Sequence, residues 1–223
     1  MIRVVKLTLL NHLFYYTEVS GGGASSTITG GFLGDLALTY AFAGAMRTRT
    51  DACEHRLQPD YPEIRQFGFY CTVGRPLAKV NRTNTYIQNT LFTDGYPDLG
   101  NINKSGKSPF KNFRQVQGLA IGNEFLAAVL SKESLKLPPV LRMGRQRETL
   151  VRVEYLAKMP AGMNDEFWLN AFSLKTIFGN LDPAVKLMTK DHRIRLWNVI
   201  EQYFLIQNLS LDHVRWIFED HFE

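Results

Sequence analysis

The sequence of 223 residues lacks several features that define large classes of protein. No apolar run approaches the roughly 20 residues that a membrane-spanning helix requires. The amino-terminal stretch alternates apolar and polar residues and has no apolar block of the kind found in a signal peptide. Only two cysteines are present, too few for a disulfide framework. We therefore expect a cytoplasmic protein with reduced thiols and no membrane partner.

Two stretches that resemble nucleotide or metal sites lack the spacing that such sites need. Five residues separate Gly100 from Gly106-Lys107-Ser108, whereas a phosphate-binding P-loop has four, and Pro109 then interrupts the helix that should follow. Cys53-Glu54-His55 offers metal-ligating atoms, but further ligands at matching spacing are missing. The sequence therefore predicts neither a cofactor nor a metal.

Acidic residues are scarce between residues 104 and 152, where ten basic residues face only three acidic ones. This segment has a net charge of +7, whereas the whole chain has +5, so the remainder has −2. A surface of one sign attracts a polyanion before any specific contact forms. Glycines, amides and aromatic residues lie among the cations, a mixture typical of single-stranded RNA binding. The alternatives are a solvated charged face or a surface that binds an acidic protein.

Two cationic blocks provide the candidate RNA contacts. Three guanidinium groups surround a glycine turn in residues 142–147, and such groups bind phosphate oxygens and stack on bases. In residues 104–114 cations alternate with phenylalanines, which can stack on bases or pack against the domain. The hypothesis requires both blocks to share one surface. The predicted RNA-binding residues are Arg142, Arg145, Arg147, Lys104, Lys107, Phe110, Lys111, Phe113, Arg114 and Tyr86.

Catalysis is the alternative function that the residues leave open. Metal-independent RNA cleavage needs one group to deprotonate a 2′-hydroxyl and another to protonate the leaving oxygen. His12, with Tyr15, Tyr16 and Lys6, contains groups of this kind. A histidine beside an aromatic pair is more often a packed strand end, so we predict a protein without catalytic residues.

Hydrophobic patterning predicts a fold of strands with few helices, which is typical of the α+β class. An amphipathic helix is expected at 33–41 and a short helix at 124–130. A long irregular loop is expected over 93–114, and residues 194–205 indicate strands or a mixture of strand and helix. The predicted strands cover residues 5–9, 67–73, 85–91, 115–121, 140–143 and 150–156.

Four short blocks, in order and spacing, resemble the RAMP-type "Cas-five" subunit that caps the 5′ end of the guide RNA in type I CRISPR effectors. The resemblance is nearest to the subtype I-D form and spans about residues 1–155. The blocks are His12-Leu13-Phe14-Tyr15-Tyr16-Thr17-Glu18, Leu36-Ala37-Leu38-Thr39-Tyr40-Ala41, Tyr96 to Phe113 with its Pro-Asp-Leu-Gly start, and Pro138-Pro139-Val140-Leu141-Arg142-Met143-Gly144-Arg145.

This resemblance implies an α+β protein with a ferredoxin-like (RRM-related) core. Residues 1–157 would form that core, with a thumb-like loop at 93–114, and residues 158–223 a β-rich extension that packs on the core or on a partner subunit. The implied function is that of a non-catalytic Cascade subunit in antiviral defence. Its partners would be the crRNA 5′ handle, the backbone subunit, the large subunit and, in the assembled complex, target DNA. Subtype I-D resemblance also implies that a separate enzyme processes the crRNA.

Overall fold

The computed structural model describes residues 1–14, 18–20, 26–46, 61–89, 92–93, 96–97, 113–144, 148–159, 165–178, 194–197 and 203–219. The fold is α+β, with mostly antiparallel strands and few helices. The helices within these ranges are α1 (Asp35–Met46), α2 (Ala171–Phe178) and α3 (Leu211–Glu219), and a 3₁₀ helix covers Tyr61–Phe67. None of these helices is long and apolar enough to cross a lipid bilayer.

The strands, in chain order, are β1 (Ile2–Leu9), β2 (Glu18–Ser20), β3 (Ser26–Ile28), β4 (Phe69–Cys71), β5 (Arg75–Pro76), β6 (Tyr86–Asn89), β7 (Phe92–Thr93), β8 (Tyr96–Pro97), β9 (Phe113–Gln117), β10 (Glu124–Ser131), β11 (Val140–Met143), β12 (Thr149–Leu156), β13 (Phe167–Asn170), β14 (Ile194–Trp197) and β15 (Tyr203–Leu209).

A six-stranded antiparallel sheet, called here the main sheet, organises the chain in the order β11-β12-β1-β10-β4, with β5 also paired to β10. Its central strand β1 buries Val5, Leu7 and Leu9 on one face. The alternation in the sequence predicted this strand, because successive side chains in a strand point to opposite faces. The structure confirms the prediction. The strands predicted at 140–143 and 150–156 are confirmed as β11 and β12.

The short helix predicted at 124–130 is wrong, because this segment forms strand β10, which pairs with β1 inside the sheet. Phe125, Ala127 and Val129 pack in a core cluster on one face of the sheet, whereas Leu126 and Leu130 pack in the cluster on the other face. A strand buried on both faces has a continuous apolar sequence, which periodicity alone cannot distinguish from a short buried helix.

Helix α1 and the carboxy-terminal residues cover opposite faces of the main sheet. Leu38, Phe42 and Ala43 of α1 pack in the cluster that contains Val5 and Leu7. The predicted helix is therefore confirmed, although it begins at Asp35 rather than residue 33, since Leu33 instead forms an isolated bridge with Gly74. The other cluster combines residues of β10 with apolar residues of the carboxy-terminal elements, including Phe167, Leu169, Ile206, Leu209, Val214, Ile217 and Phe218.

The carboxy-terminal region contains a three-stranded antiparallel sheet, β13-β15-β14, together with α2 and α3. Of the two alternatives left open by the sequence at 194–205, strands or a mixture of strand and helix, the described residues show strands, β14 at 194–197 and β15 at 203–209. Helix α3 follows β15. Helix α3 buries Val214, Ile217 and Phe218 and exposes its polar side, as expected of an amphipathic surface helix.

A second sheet of four short strands, β2-β3-β9-β6, contains part of the region predicted as an irregular loop. Phe113 and Arg114 were assigned to that loop but are the first residues of β9, where they pair with Asn89 and Gln88. Strands β7 and β8 also pair within the predicted loop, and residues 98–112 lie outside the described residues. The strand predicted at 85–91 is confirmed as β6, while the one predicted at 115–121 ends at Gln117.

Candidate nucleic-acid interface

Several connections converge at one end of the main sheet, called here the Leu9 end. At this end β1 finishes at Leu9, β10 begins at Glu124, and β12 begins at Thr149. The connection between β11 and β12, called here the arginine turn, includes Arg145 and Arg147 of the predicted motif, which lie outside the described residues. Its described ends, Gly144 and Glu148, are at the Leu9 end. Gly144 begins this turn with φ +81°, a left-handed conformation that glycine adopts without steric cost.

The segment Leu13-Phe14 lies between two glycines that are distant in sequence. A Cβ atom on Gly118 would be 2.5 Å from the Phe14 ring and 2.6 Å from the Leu13 carbonyl oxygen. A Cβ atom on Gly144 would be 2.9 Å from Leu13 Cδ1. Both approaches are shorter than van der Waals contact, so only glycine fits at either position. The turn after β11 and the residue after β9 are therefore fixed against the same two residues.

Alanine at Gly118 should destabilise the protein by about 1–3 kcal/mol, because its methyl group must displace the Phe14 ring or the main chain. Urea unfolding measures the change. Gly44→Ala is the matched control, since a Cβ atom there meets nothing within 4 Å and alanine favours helix α1 by about 1 kcal/mol. Equal effects of the two substitutions would contradict the close packing at Gly118.

Hydrogen bonds join the segment before Leu13 to the β11–β12 connection. Thr149 Oγ1 donates to the His12 carbonyl oxygen at 2.8 Å. The Asn11 side chain donates to the Glu148 carbonyl at 3.0 Å and accepts from the Leu150 amide at 2.6 Å. The arginine turn is therefore tied to residues 11–14 on its β12 side, and it contacts them through Gly144 on its β11 side.

Aromatic side chains lie beside this junction. The rings of Phe14 and Tyr86 meet edge to face with centroids 5.6 Å apart, and the rings of His12 and Phe14 are 6.4 Å apart. Tyr86 retains 44% of its accessible surface, so part of its ring faces solvent and can stack on a base. The structure thus brings the predicted site residue Tyr86 to the arginine turn through Phe14.

Arg142 is exposed on β11, and its neighbour across the hairpin is a second cation that the sequence hypothesis did not include. Arg142 pairs with Leu150 and Val140 pairs with Arg152, so the two arginines are diagonal neighbours on one face. Among the residues that the structure describes, none forms a salt bridge with Arg142 or Arg152. Only the register of the β11–β12 hairpin could have identified Arg152 as a site residue, because residues 142 and 152 approach each other only when these strands are paired.

The remaining predicted contacts are distributed differently. Phe113 and Arg114 begin β9, about five residues and so roughly 16 Å along the strand from Gly118. The structure therefore does not bring their backbone to the Leu9 end. Outside the described residues lie the other predicted contacts, namely Arg145, Arg147, Lys104, Lys107, Phe110 and Lys111. Whether the two cationic blocks share one surface stays a prediction.

Two of the four groups proposed for the catalytic alternative, Lys6 and His12, are held in other interactions. The Lys6 ammonium binds Glu154 at 2.8 Å and Glu124 at 3.2 Å, and these hydrogen bonds, Glu154 first, raise the pKa of Lys6. A lysine with a raised pKa stays protonated and is a poor general base. His12 Nδ1 accepts a hydrogen bond from the Ile121 amide at 3.2 Å. Tyr15 and Tyr16 lie outside the described residues.

Comparison with known protein families places the chain among the CRISPR-associated proteins. The model of the family described as type I-D CRISPR-associated protein Cas5/Csc1 matches residues 1–217. The chain therefore belongs to this family and is a Cas5-like subunit of a type I-D CRISPR effector. The resemblance drawn from the sequence is confirmed, and the match extends beyond residue 155 through most of the carboxy-terminal region.

Solved CRISPR complexes contain chains with a partial likeness in overall shape. One, from a "Type IV-B CRISPR Complex", has a TM-score of 0.39 at 9% identity and covers 74% of this chain and 94% of its own. Another, from a type III-B Cmr-beta complex bound to cognate target RNA and AMPPnP, has a TM-score of 0.43 at 8% identity and covers 97% of this chain and 92% of its own. No curated protein matches the chain.

Proposed function

We propose that this subunit binds the 5′ handle of the crRNA at the Leu9 end, without cleaving it. The observation that carries the proposal is the position of Leu13-Phe14 between Gly118 and Gly144. The proposal is supported by the described ends of the arginine turn, the exposed Arg142 and the partly exposed Tyr86, which lie around this junction. Guanidinium groups hold phosphates and aromatic rings stack on unpaired bases, so the junction combines the two kinds of contact that single-stranded RNA requires.

The core that presents this end is, we infer, ferredoxin-like. Helix α1 connects β1 to β4, and the strands β12-β1-β10-β4 have the order and antiparallel pairing of a ferredoxin-like sheet. Strand β11 lies between β10 and β12 in the chain, which is where the second helix of a ferredoxin-like fold would occur.

Because other elements cover much of both faces of the main sheet, the handle RNA is expected to bind at the Leu9 end of the sheet rather than on a face. An RRM stacks RNA on aromatic side chains of an open sheet face. Here the carboxy-terminal elements pack on β10, and the part of that face toward β12 presents Lys6, Glu154 and Arg152 rather than aromatic rings. The handle therefore binds where β1 ends, next to the arginine turn.

The partners that follow from this function are the crRNA, the backbone subunit and the large subunit of the effector complex, with target DNA in the assembled complex. A subunit that holds one end of the guide must contact the protein that covers the next part of the RNA. The family of the chain and its cationic segment at 104–152 support this assignment.

Purification of the effector complex through this chain tests the proposal. We expect a crRNA with one defined 5′ end to copurify, and we expect the handle to be protected from ribonuclease. Repeat RNA incubated with the purified chain in EDTA should remain intact, and His12→Ala should not change this result. Specific cleavage that disappears in His12→Ala would identify an endoribonuclease instead. A complex without RNA would identify a protein-interaction scaffold.

A further inference from the structure

The outer edge of β11 presents main-chain groups that no strand of the described residues pairs with. The Val153 amide donates to the Pro139 carbonyl at 2.8 Å, and Leu141 pairs with Val151. Hydrogen bonding alternates along an antiparallel pair, so the main-chain groups of Val140 and Arg142 point away from β12. No strand pairs with them among the residues that the structure describes.

A cleft of about 410 Å³ lies between this edge and the second half of helix α1. The helix lines it with Tyr40 and with three small residues, Ala41, Gly44 and Ala45, and a Cβ atom on Gly44 would meet nothing within 4 Å. On the strand side Val140 retains 38% of its accessible surface. Small side chains on the helix leave space beside the strand, where a further strand would lie about 4.8 Å away.

The chemistry of the cleft favours an extended peptide over RNA. Each outward-facing residue offers one N–H donor and one C=O acceptor, and a peptide backbone satisfies both at the spacing of a strand. An RNA backbone brings phosphate oxygens, which would pair with the donors but face the carbonyl oxygens with like charge. No acidic residue is among the described residues that line the cleft, so an acidic side chain of the peptide would meet no like charge there.

We propose that the cleft between α1 and β11 binds an extended segment of another protein subunit, which adds to β11 as a strand. Apolar or small side chains of this segment pack against Ala41 and Gly44. The identification of the partner as a subunit of the same effector complex rests on the proposed function. The pairing also protects an edge that would otherwise be open to non-specific strand addition.

Hydrogen exchange of individual amides tests the proposal on the free chain and on the complete complex assembled with all protein subunits and crRNA. The Val140 and Arg142 amides should exchange at least about tenfold more slowly in the complex than in the free chain. The Leu141 and Met143 amides serve as internal references, because they already face β12. Equal exchange of Val140 and Arg142 in the two samples would overturn the proposal.

A pair of variants at Gly44 separates cleft binding from general burial. Gly44→Leu fills the cleft and should abolish the added protection, while both leucine and alanine favour the helix over glycine. Gly44→Ala adds only a methyl group in open space and should keep the protection. Protection that persists in Gly44→Leu would contradict the proposal.

Two further outcomes identify a different occupant and so overturn the proposal. Protection that ribonuclease removes would indicate RNA, and protection in the free chain that grows with its concentration would indicate a second copy of the chain. A complex that contains no crRNA but protects Val140 and Arg142 would contradict the proposed function and retain this inference. The failures of the two proposals are therefore distinguishable.

Discussion

Replacing Arg142, Arg145 and Arg147 together with alanine should weaken binding of the handle RNA about a hundredfold at 0.1 M salt. Each phosphate neutralised on a single strand contributes about 0.7 to the slope of log K against log salt. If about five phosphates are bound, the slope should change from about −3.5 to about −1.4 when three are lost. Fluorescence anisotropy with a labelled handle RNA over a range of salt concentrations measures both the affinity and the slope.

A control with the same loss of charge is available at the opposite end of the main sheet. Lys132, Lys136 and Lys158 are exposed and follow the ends of β10 and β12 near Met1, far from the Leu9 end. Their joint replacement with alanine should leave the salt slope close to that of the unchanged protein. Equal slopes for the two triple variants would show that net charge, and not the arginine turn, attracts the RNA.

The affinity that survives at high salt reports the aromatic contribution. Stacking of a base on an aromatic ring contributes about 1–3 kcal/mol and depends little on salt. Tyr86 is exposed at the same junction and would provide such a contact. The triple arginine variant should therefore retain binding that responds weakly to salt, rather than lose all affinity.

Local patterns predicted the elements that obey a single periodicity. Strand β1 alternates because one of its faces is deeply buried. Helix α1 was also predicted, but it is apolar nearly all round: Leu38 and Phe42 are buried against the sheet, whereas the equally apolar Ala37 is exposed. Strand β10 was misread as a helix because the carboxy-terminal elements bury its second face. That burial depends on residues about 40 to 90 positions later, such as Leu169 and Phe218, which no local window contains.

The site was predictable in its composition but not in its assembly. Charge and residue type selected Arg142 and Tyr86 from the sequence alone. Their connection through Phe14 depends on Gly118 and Gly144, whose lack of a side chain matters only because Leu13-Phe14 lies against both. Arg152 was missed for the same reason, since its proximity to Arg142 follows from the register of a hairpin.

Asp35→Ala should destabilise the protein by about 3 kcal/mol or more, because it leaves buried polar partners without an acceptor. Asp35 is fully buried at the start of α1, and the Tyr70 hydroxyl of β4 donates to its Oδ2. Nearby, Asn170 Nδ2 donates to Ser173 Oγ at 2.9 Å, so the polar cluster joins α1 and β4 to the carboxy-terminal elements. Thermal unfolding should show a midpoint lower by about 6–12 °C for a chain of this length.

Asp212 provides the matched control, since the same substitution there removes an exposed carboxylate. Its side chain is 88% accessible and pairs with Arg215 at 3.2 Å on the surface of α3. Surface pairs of this kind contribute at most about 1 kcal/mol, so Asp212→Ala should change the midpoint by only a few degrees. A similar shift for both variants would contradict the structural importance of the buried cluster.

The pH dependence of stability distinguishes the ionised from the protonated form of Asp35. Burial raises the pKa of its carboxyl group, and nearby Ser173, the Tyr70 hydroxyl, the Leu36 amide and Asn170 oppose this rise. No group in the described part of the chain hydrogen-bonds to Oδ1, which is consistent with a proton on the carboxyl group. A raised pKa means that the folded state binds the proton more tightly than the unfolded state does. The contribution of Asp35 to stability is therefore complete below the unfolded pKa of about 3.9 and is lost as the pH rises through the folded value.

Asp35→Asn keeps an acceptor for Tyr70 and removes the titration. Its free energy of unfolding should therefore vary less between pH 4 and pH 7 than that of the unchanged protein, with the difference largest at the upper end of the range. Urea unfolding at several pH values measures this, and Asp212→Asn should reproduce the profile of the unchanged protein. An identical pH profile for Asp35→Asn would show that the carboxyl group is ionised in the folded state with an ordinary pKa. The buried Tyr70 hydroxyl would then be donating to a charged acceptor.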